Sequence, residues 1–180
     1  MIQTVTLRML QDAGACNKPD GDKPGQLDQW RDLFGDSVDV TSENFRTAYV
    51  AGLDVLWALD LVFDKREQRL LGADFAEHVL PIYEDQFPGD SQVRDLIATI
   101  RRYCAGKATK EELAVAVDAA VAAGAAVAAG AAVAAVAAWA AAARAAVCAA
   151  AGDADAAVWA AERDWQIEHI CYFIEERQNP

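Results

Sequence analysis

The sequence predicts an all-α protein, built as a multi-helix bundle with a long Ala-rich central helix or helical hairpin and a C-terminal helix. Apolar residues recur at helical spacing through most of the chain, between residues that cap or end helices. Residues 114–151 contain 25 alanines and 7 valines, and alanine has the highest intrinsic helix propensity. The length fits one domain over 1–180, with an N-terminal helical subregion over 1–53.

Capping residues and glycines divide the first third of the chain into short helices. The pattern predicts four of them, over residues 6–13, 26–34, 41–51 and 54–63. The stretch 17–25 is rich in Pro, Gly and Asp and is predicted as a loop. Residues 37–40 alternate over too short a span to indicate a sheet, so we predict an extended connector there.

The stretch around Pro81 predicts two separate helices. Asp64 with Glu67 has the spacing of a capping box ahead of a helix over 65–79. Pro81 suits the first turn of a short helix over 81–86, because its missing N–H is not needed there. The sequence therefore predicts a break in the helix at this proline.

The most regular amphipathic pattern follows the turn at residues 87–90. Every third or fourth position from Val93 to Cys104 is apolar, which predicts a helix with one buried face. Thr109 with Glu112 then has the spacing of a second capping box. This box marks the start of the Ala-rich region.

The Ala-rich region is long enough to span a bilayer, but its composition argues against insertion. Residues 119–143 carry no charge, yet they contain no Leu, Ile or Phe and lack flanking clusters of Lys and Arg. We therefore expect no membrane contact. One helix over 110–151 would be about 60 Å long, so a hairpin bent near Gly124 and Gly130 is the alternative.

Aromatic and acidic residues lie together along the last predicted helix, from Asp153 to about Arg177. Aromatic side chains rimmed by charge are typical of recognition surfaces. We predict a partner-binding surface from this helix and from three acids upstream. Its candidate residues are Glu77, Glu84, Asp85, Glu162, Trp165, Glu168, Tyr172 and Glu175.

The formal net charge of −12 favours a partner with a basic face, such as a cationic toxin or a nucleic-acid-handling effector. It disfavours direct binding to nucleic acid, because affinity for phosphates comes from Lys and Arg. Residues 2–12 do not resemble a signal peptide, and the four cysteines are far apart. We therefore expect a cytoplasmic protein with reduced thiols.

No residue pattern is typical of a catalytic or metal site. The GxxxxGK[ST], GxGxxG and HExxH motifs do not occur. His78 falls on the apolar stripe of Leu71 and Phe75 and is predicted as a core histidine. Cys171 lies two residues from His169, so the two side chains point to different helix faces. We predict no enzyme activity, cofactor or metal, with a helical metalloenzyme as the alternative from another class.

The run over residues 74–109 resembles the immunity-protein domains called Imm-5-like. It has an AEHVLP segment, an acidic and aromatic turn with proline, and an Arg-containing helix followed by an Ala-rich region. The resemblance covers residues 54–177, and it implies that the protein neutralises a partner by contact. The Ala-rich block departs from the family, because it is nearly free of the polar residues that such tails carry.

Three functions follow from these features. The first is a non-enzymatic, immunity-like inhibitor of a basic toxin or effector. The second is a phage-encoded inhibitor of a host defence complex, similar to an anti-CRISPR protein, whose acids would occupy a nucleic-acid channel. The third is a structural module that forms homo-oligomers through the Ala-rich helix.

Overall fold

A computed structural model of the chain describes residues 1–15, 17, 24–122 and 156–178. Over these residues the fold is all-α apart from one small sheet, as predicted. The chain forms two compact units: Met1–Asp64 with Arg163–Pro180 make unit 1, and Lys65–Glu162 make unit 2.

The sheet in unit 1 has two antiparallel strands. Strand β1 (Thr4–Thr6) pairs with β2 (Ser37–Asp39), and Val5 lies opposite Val38. The prediction that residues 37–40 form a connector outside any sheet is therefore wrong. Three residues are too few for an alternating pattern, and the partner strand is distant in the chain, so local sequence carried no signal for the pairing.

Helices α1 (Leu7–Asp12) and α2 (Gln26–Phe34) confirm the first two predicted helices. Thr6 caps α1, because its Oγ1 accepts a hydrogen bond from Met9 N at 3.2 Å. The cap of α2 comes from a distant residue. Asn17 Oδ1 accepts hydrogen bonds at 3.1 Å and 3.3 Å from two backbone amides in the first turn of α2.

Helix α3 (Ser42–Val50) also agrees with the prediction, and Thr41 caps it. Helix α4 (Leu59–Val62) is shorter than the predicted helix over 54–63, and the chain before it forms turns. This part of the prediction is wrong, since the periodicity did not show where the chain would turn.

Gln26 explains the turn before α4. Its side-chain oxygen accepts a hydrogen bond from Asp54 N at 2.7 Å, and its amide donates to the Gly52 carbonyl at 3.3 Å. These bonds hold the backbone in a turn where a helix would otherwise begin. The turn buries both Leu53 and Val55.

Helix α8 (Ala156–Gln178) confirms the predicted C-terminal helix. Within unit 1 it runs antiparallel to α3, since Tyr49 contacts Asp164 while Arg46 contacts Glu168. One side of α8 is deeply buried in this unit. Its buried apolar residues are Ile167, Ile170, Cys171, Phe173 and Ile174.

Unit 2 contains helices α5 (Lys65–Gln86), α6 (Gln92–Cys104) and α7 (Lys110–Ala122). The stripe predicted for α6 is confirmed, and its apolar residues join alanines from both neighbouring helices in one core. Small alanine side chains allow helices to approach closely. The buried residues of this core are Ala73, Ala76, Leu80, Val93, Leu96, Ile97, Ile100 and Ala120.

Pro81 lies inside α5, so the predicted break at this residue is wrong. Proline cannot donate a hydrogen bond to the carbonyl of Glu77, four residues earlier, and it normally costs a helix interior about 3 kcal/mol. Leu80 and Tyr83, on either side of the proline, both pack in the core of unit 2. This packing favours a helix that continues past the proline.

The predicted capping box before α7 is confirmed. Thr109 Oγ1 accepts from Glu112 N at 3.1 Å, and the Glu112 carboxylate accepts from Thr109 N at 2.7 Å. The rest of the Ala-rich region, the cap at Asp153 and most of the loop over 17–25 lie outside the described residues. Of the helices that the structure describes, none has both the length and the apolar character needed to cross a membrane.

Candidate functional site

Glu77, one of the predicted partner-binding acids, forms an ion pair inside unit 2. The Arg101 guanidinium donates to both Glu77 oxygens, at 2.9 Å and 2.6 Å, and to Asp74 Oδ1 at 2.8 Å. The hydrogen bonds from Arg101 hold the pKa of Glu77 below its usual value. Glu77 is therefore ionised but locally neutralised, because Arg101 lies against it.

Glu84 and Asp85, the other two candidates on α5, differ in their surroundings. Arg94 donates to both Glu84 oxygens, at 2.6 Å and 2.7 Å. Asp85 is exposed, and it forms no ion pair with the part of the chain that the structure describes. Of the three α5 candidates, Asp85 therefore presents the least compensated negative charge.

Glu162 lies beside His78 at the edge of unit 2. His78 Nε2 is 3.2 Å from Glu162 Oε2, and the Glu162 side chain is only 12% exposed. His78 itself is exposed, so its prediction as a core histidine is wrong. The buried face of α5 includes Ala73 and Ala76, which shifts its centre away from His78.

Glu168 and Glu175 of α8 both lie near Arg46 of α3. Arg46 donates to the two Glu168 oxygens at 3.0 Å and 2.8 Å, and its Nη1 is 4.0 Å from Glu175 Oε1. The hydrogen bond from Arg46 lowers the pKa of Glu168. Two candidate acids of α8 thus lie against one arginine of α3.

Trp165 and Tyr172 lie on one face of α8, together with His169 and Glu176. Tyr172 and Glu176 are exposed, whereas Trp165 and His169 are half-buried. The Trp165 and His169 rings stack with centroids 5.0 Å apart. Tyr172 is 57% exposed and its hydroxyl donates to Glu176 at 2.7 Å, which raises the pKa of the phenol. We call these four residues the α8 stripe. His169 and Glu176 both lie at helical spacing from Trp165, so the sequence places all four residues on one helix face.

The candidate residues therefore divide between the two compact units. Unit 2 contains Glu77, Glu84, Asp85 and Glu162, and unit 1 contains Trp165, Glu168, Tyr172 and Glu175. Within unit 1 the structure brings its four candidates together along α8. Within unit 2, Glu77, Glu84 and Asp85 follow α5.

Negative charge is concentrated in unit 1. Its sequence has fifteen acidic and seven basic residues, which leaves −8, whereas unit 2 has thirteen acidic and nine basic residues, which leaves −4. Several unit 1 carboxylates are exposed and form no ion pair with any described residue. They are Asp32, Asp36, Glu43 and Asp60.

An apolar cleft of about 330 Å³ opens on the surface of unit 1. Its lining includes Leu10, Leu27, Trp30, Leu53, Val55 and Trp57. Asp54 lies at its polar edge, and Trp57 is 40% exposed there. Local sequence carries no signal for this cleft, because its walls come from α1, α2 and the turn before α4.

The chemistry of Cys171 is that of a buried structural thiol. Its side chain is fully buried, and Sγ donates to the Ser42 carbonyl at 3.6 Å. Burial raises the pKa of this thiol to about 11, so it stays protonated and weakly nucleophilic at neutral pH. A search of the described residues finds no group of three or more His, Cys, Asp or Glu side chains placed to hold a metal ion.

Comparison of the chain with protein-family models, with curated proteins and with solved structures finds no match.

Proposed function

We propose that this protein is a non-enzymatic inhibitor that binds a basic protein partner through unit 1. The observation that carries the proposal is the surplus of exposed carboxylates in this unit, led by Asp32, Asp36, Glu43 and Asp60. Charges that are not neutralised within the protein remain available to steer and orient an oppositely charged partner. A toxin or effector with a cationic surface fits this charge.

The α8 stripe supports the same proposal. An exposed tyrosine beside a glutamate combines a large contact area with charge, as recognition surfaces do. Arg46 fixes the neighbouring carboxylate of Glu168 in a bidentate pair, so this part of the surface is preorganised for binding. The resemblance of residues 74–109 to Imm-5-like domains favours a toxin or effector as the partner.

Co-purification and titration with the products of adjacent genes test the proposal. The full chain should bind a basic protein among them, with an affinity that falls as salt rises. A double variant, Asp32→Lys with Asp36→Lys, should raise the Kd about tenfold or more. Asp85→Lys measures separately whether the α5 candidates take part.

The matched control changes the same amount of charge on unit 2. Glu111 and Asp118 are exposed on α7, so Glu111→Lys with Asp118→Lys alters the net charge equally. This control should leave the Kd within about threefold, since it changes no charge on the proposed surface of unit 1. Equal losses of affinity in both double variants would contradict a binding surface on unit 1. If neither salt nor any charge reversal changes the Kd, the partner is not recognised by charge.

A further inference from the structure

The cleft in unit 1 combines apolar walls with a single acidic edge. Its described lining includes no lysine or arginine, whereas Asp54 and the exposed ring of Trp57 border its opening. Asp54 Oδ1 lies 3.4 Å from Trp57 N, so a weak hydrogen bond keeps the carboxylate and the indole on one turn. A carboxylate beside an aromatic ring suits a cation that has an apolar stem.

We infer that this cleft takes an arginine side chain of the basic partner. The aliphatic stem contacts Leu53 and Val55, and the guanidinium contacts the Asp54 carboxylate and the face of Trp57. Arginine fits better than a compact ammonium ion, because its planar group can both stack and pair with a carboxylate. This inference rests on the proposed function and adds to it the position of one contact and its chemistry.

The size of the cleft agrees with this occupant. A volume of about 330 Å³ lies near the lower end of the range of small-ligand pockets, about 300–1,000 Å³. That space accommodates one long side chain together with part of a neighbouring residue. The net charge of −8 on unit 1 adds a long-range attraction for the same cation.

The turn that forms the acidic edge is held in place before any partner binds. Gln26 bonds to both Asp54 N and the Gly52 carbonyl, at 2.7 Å and 3.3 Å. Leu53 N also donates to the Ala48 carbonyl at 3.0 Å. A preformed edge reduces the ordering cost of binding.

Titration of the full chain with a small arginine derivative tests the cleft directly. The probe is N-acetyl-arginine methylamide, and N-acetyl-citrulline methylamide is its uncharged match. In ¹H–¹⁵N NMR spectra, the arginine probe should shift the indole resonance of Trp57. The citrulline probe should bind at least about fivefold more weakly. Asp54→Asn should weaken arginine binding by a similar factor.

Asp60→Asn is the matched control, because Asp60 is exposed in the same unit but does not line the cleft. It should leave arginine binding unchanged. Equal binding of arginine and citrulline, or no shift of Trp57 up to the solubility limit of the probe, would overturn the inference. Trp57→Ala removes the reporter indole, so its effect is read from the backbone amides of Leu53 and Asp54, which the arginine probe should no longer shift. The Asp54→Asn result decides the matter if Trp57→Ala fails to fold.

The protein complex separates this inference from the proposed function. If a basic partner binds and Asp54→Asn leaves its Kd unchanged, the cleft inference fails while the proposed function stands. If the arginine probe binds at Trp57 and no basic protein binds, the proposed function fails while the cleft remains a site for a guanidinium group.

Discussion

Arg46 and Glu168 lie 122 residues apart in the sequence and share two hydrogen bonds, of 3.0 Å and 2.8 Å. This bidentate pair joins α3 to the C-terminal helix within unit 1. The hydrogen bond from Arg46 lowers the pKa of Glu168, which means that the folded state favours the ionised carboxylate. The stability that the pair provides therefore depends on pH.

Glu168→Gln should reduce the free energy of unfolding at pH 7 by less than about 1 kcal/mol, because both side chains are partly exposed. The contribution is present above the ordinary carboxyl pKa of 4.5 and is lost as pH falls through the lower pKa of the folded state. Urea unfolding near pH 2 should then give nearly equal stabilities for variant and parent. Asp36→Asn, at an exposed acid outside the helices and without a described ion pair, should have little effect at either pH. A variant effect that persists near pH 2 would argue against an ionic origin.

Local signals were enough to predict most helices. The Thr109 and Glu112 capping box and the stripe along α6 depend on residues within a few positions of one another. Features that join distant segments could not be predicted in this way. Asn17 caps α2 across the following loop, and Gln26 fixes a turn far along the chain.

The same distinction applies to the candidate site. The acids were visible in the sequence, but their ion pairs depend on which arginine the fold brings near. Glu77 and Arg101 are 24 residues apart, and their pairing follows from the packing of α5 on α6. By contrast, Trp165 and Tyr172 share a face of one helix, which their spacing alone predicts.

Pro81→Ala should raise the free energy of unfolding of unit 2 by about 1–3 kcal/mol. Alanine restores the backbone donor and removes the clash of the proline ring with the preceding turn. Denaturant unfolding of the full chain measures the change. Pro88→Ala is the control, since Pro88 lies in the turn after α5, where losing a proline destabilises by about 0.4–1 kcal/mol. If Pro81→Ala brings no gain, α5 is not a continuous helix.

Cys171 should resist alkylation while the protein is folded. The thiol is fully buried, and its pKa of about 11 leaves little thiolate at pH 8. In a variant with Cys16, Cys104 and Cys148 changed to Ser, iodoacetamide should label Cys171 only after denaturation. In the denatured protein the rate should rise as pH passes the ordinary thiol pKa of 9.0, because the thiolate fraction then increases.

The control for this labelling retains Cys104 and changes the other three cysteines to Ser. Cys104 is only partly buried, so it should react in the folded protein. Mass spectrometry of timed samples compares the two rates. Similar rates for Cys171 and Cys104 would mean that the α3–α8 region opens readily or that the thiol is exposed.

Trp30→Phe should change the free energy of unfolding by less than about 1 kcal/mol. The indole nitrogen is buried without an acceptor among the residues that the structure describes, and such a donor costs about 1–3 kcal/mol. Phenylalanine removes that cost and keeps most of the ring packing against Phe34, whose centroid is 5.0 Å away. Trp30→Ala removes the ring as well and should cost about 3–5 kcal/mol.

Urea unfolding of the parent and both Trp30 variants distinguishes the two contributions. Because alanine and phenylalanine both remove the indole nitrogen, the difference between the variants measures the packing of the ring alone. The difference in free energy of unfolding between the parent and Trp30→Phe measures the cost of the unpaired donor together with the packing lost with the smaller ring. If Trp30→Phe alone costs well over about 1 kcal/mol, the indole N–H must have an acceptor in the folded protein, because loss of a satisfied hydrogen bond would then add to the loss of packing.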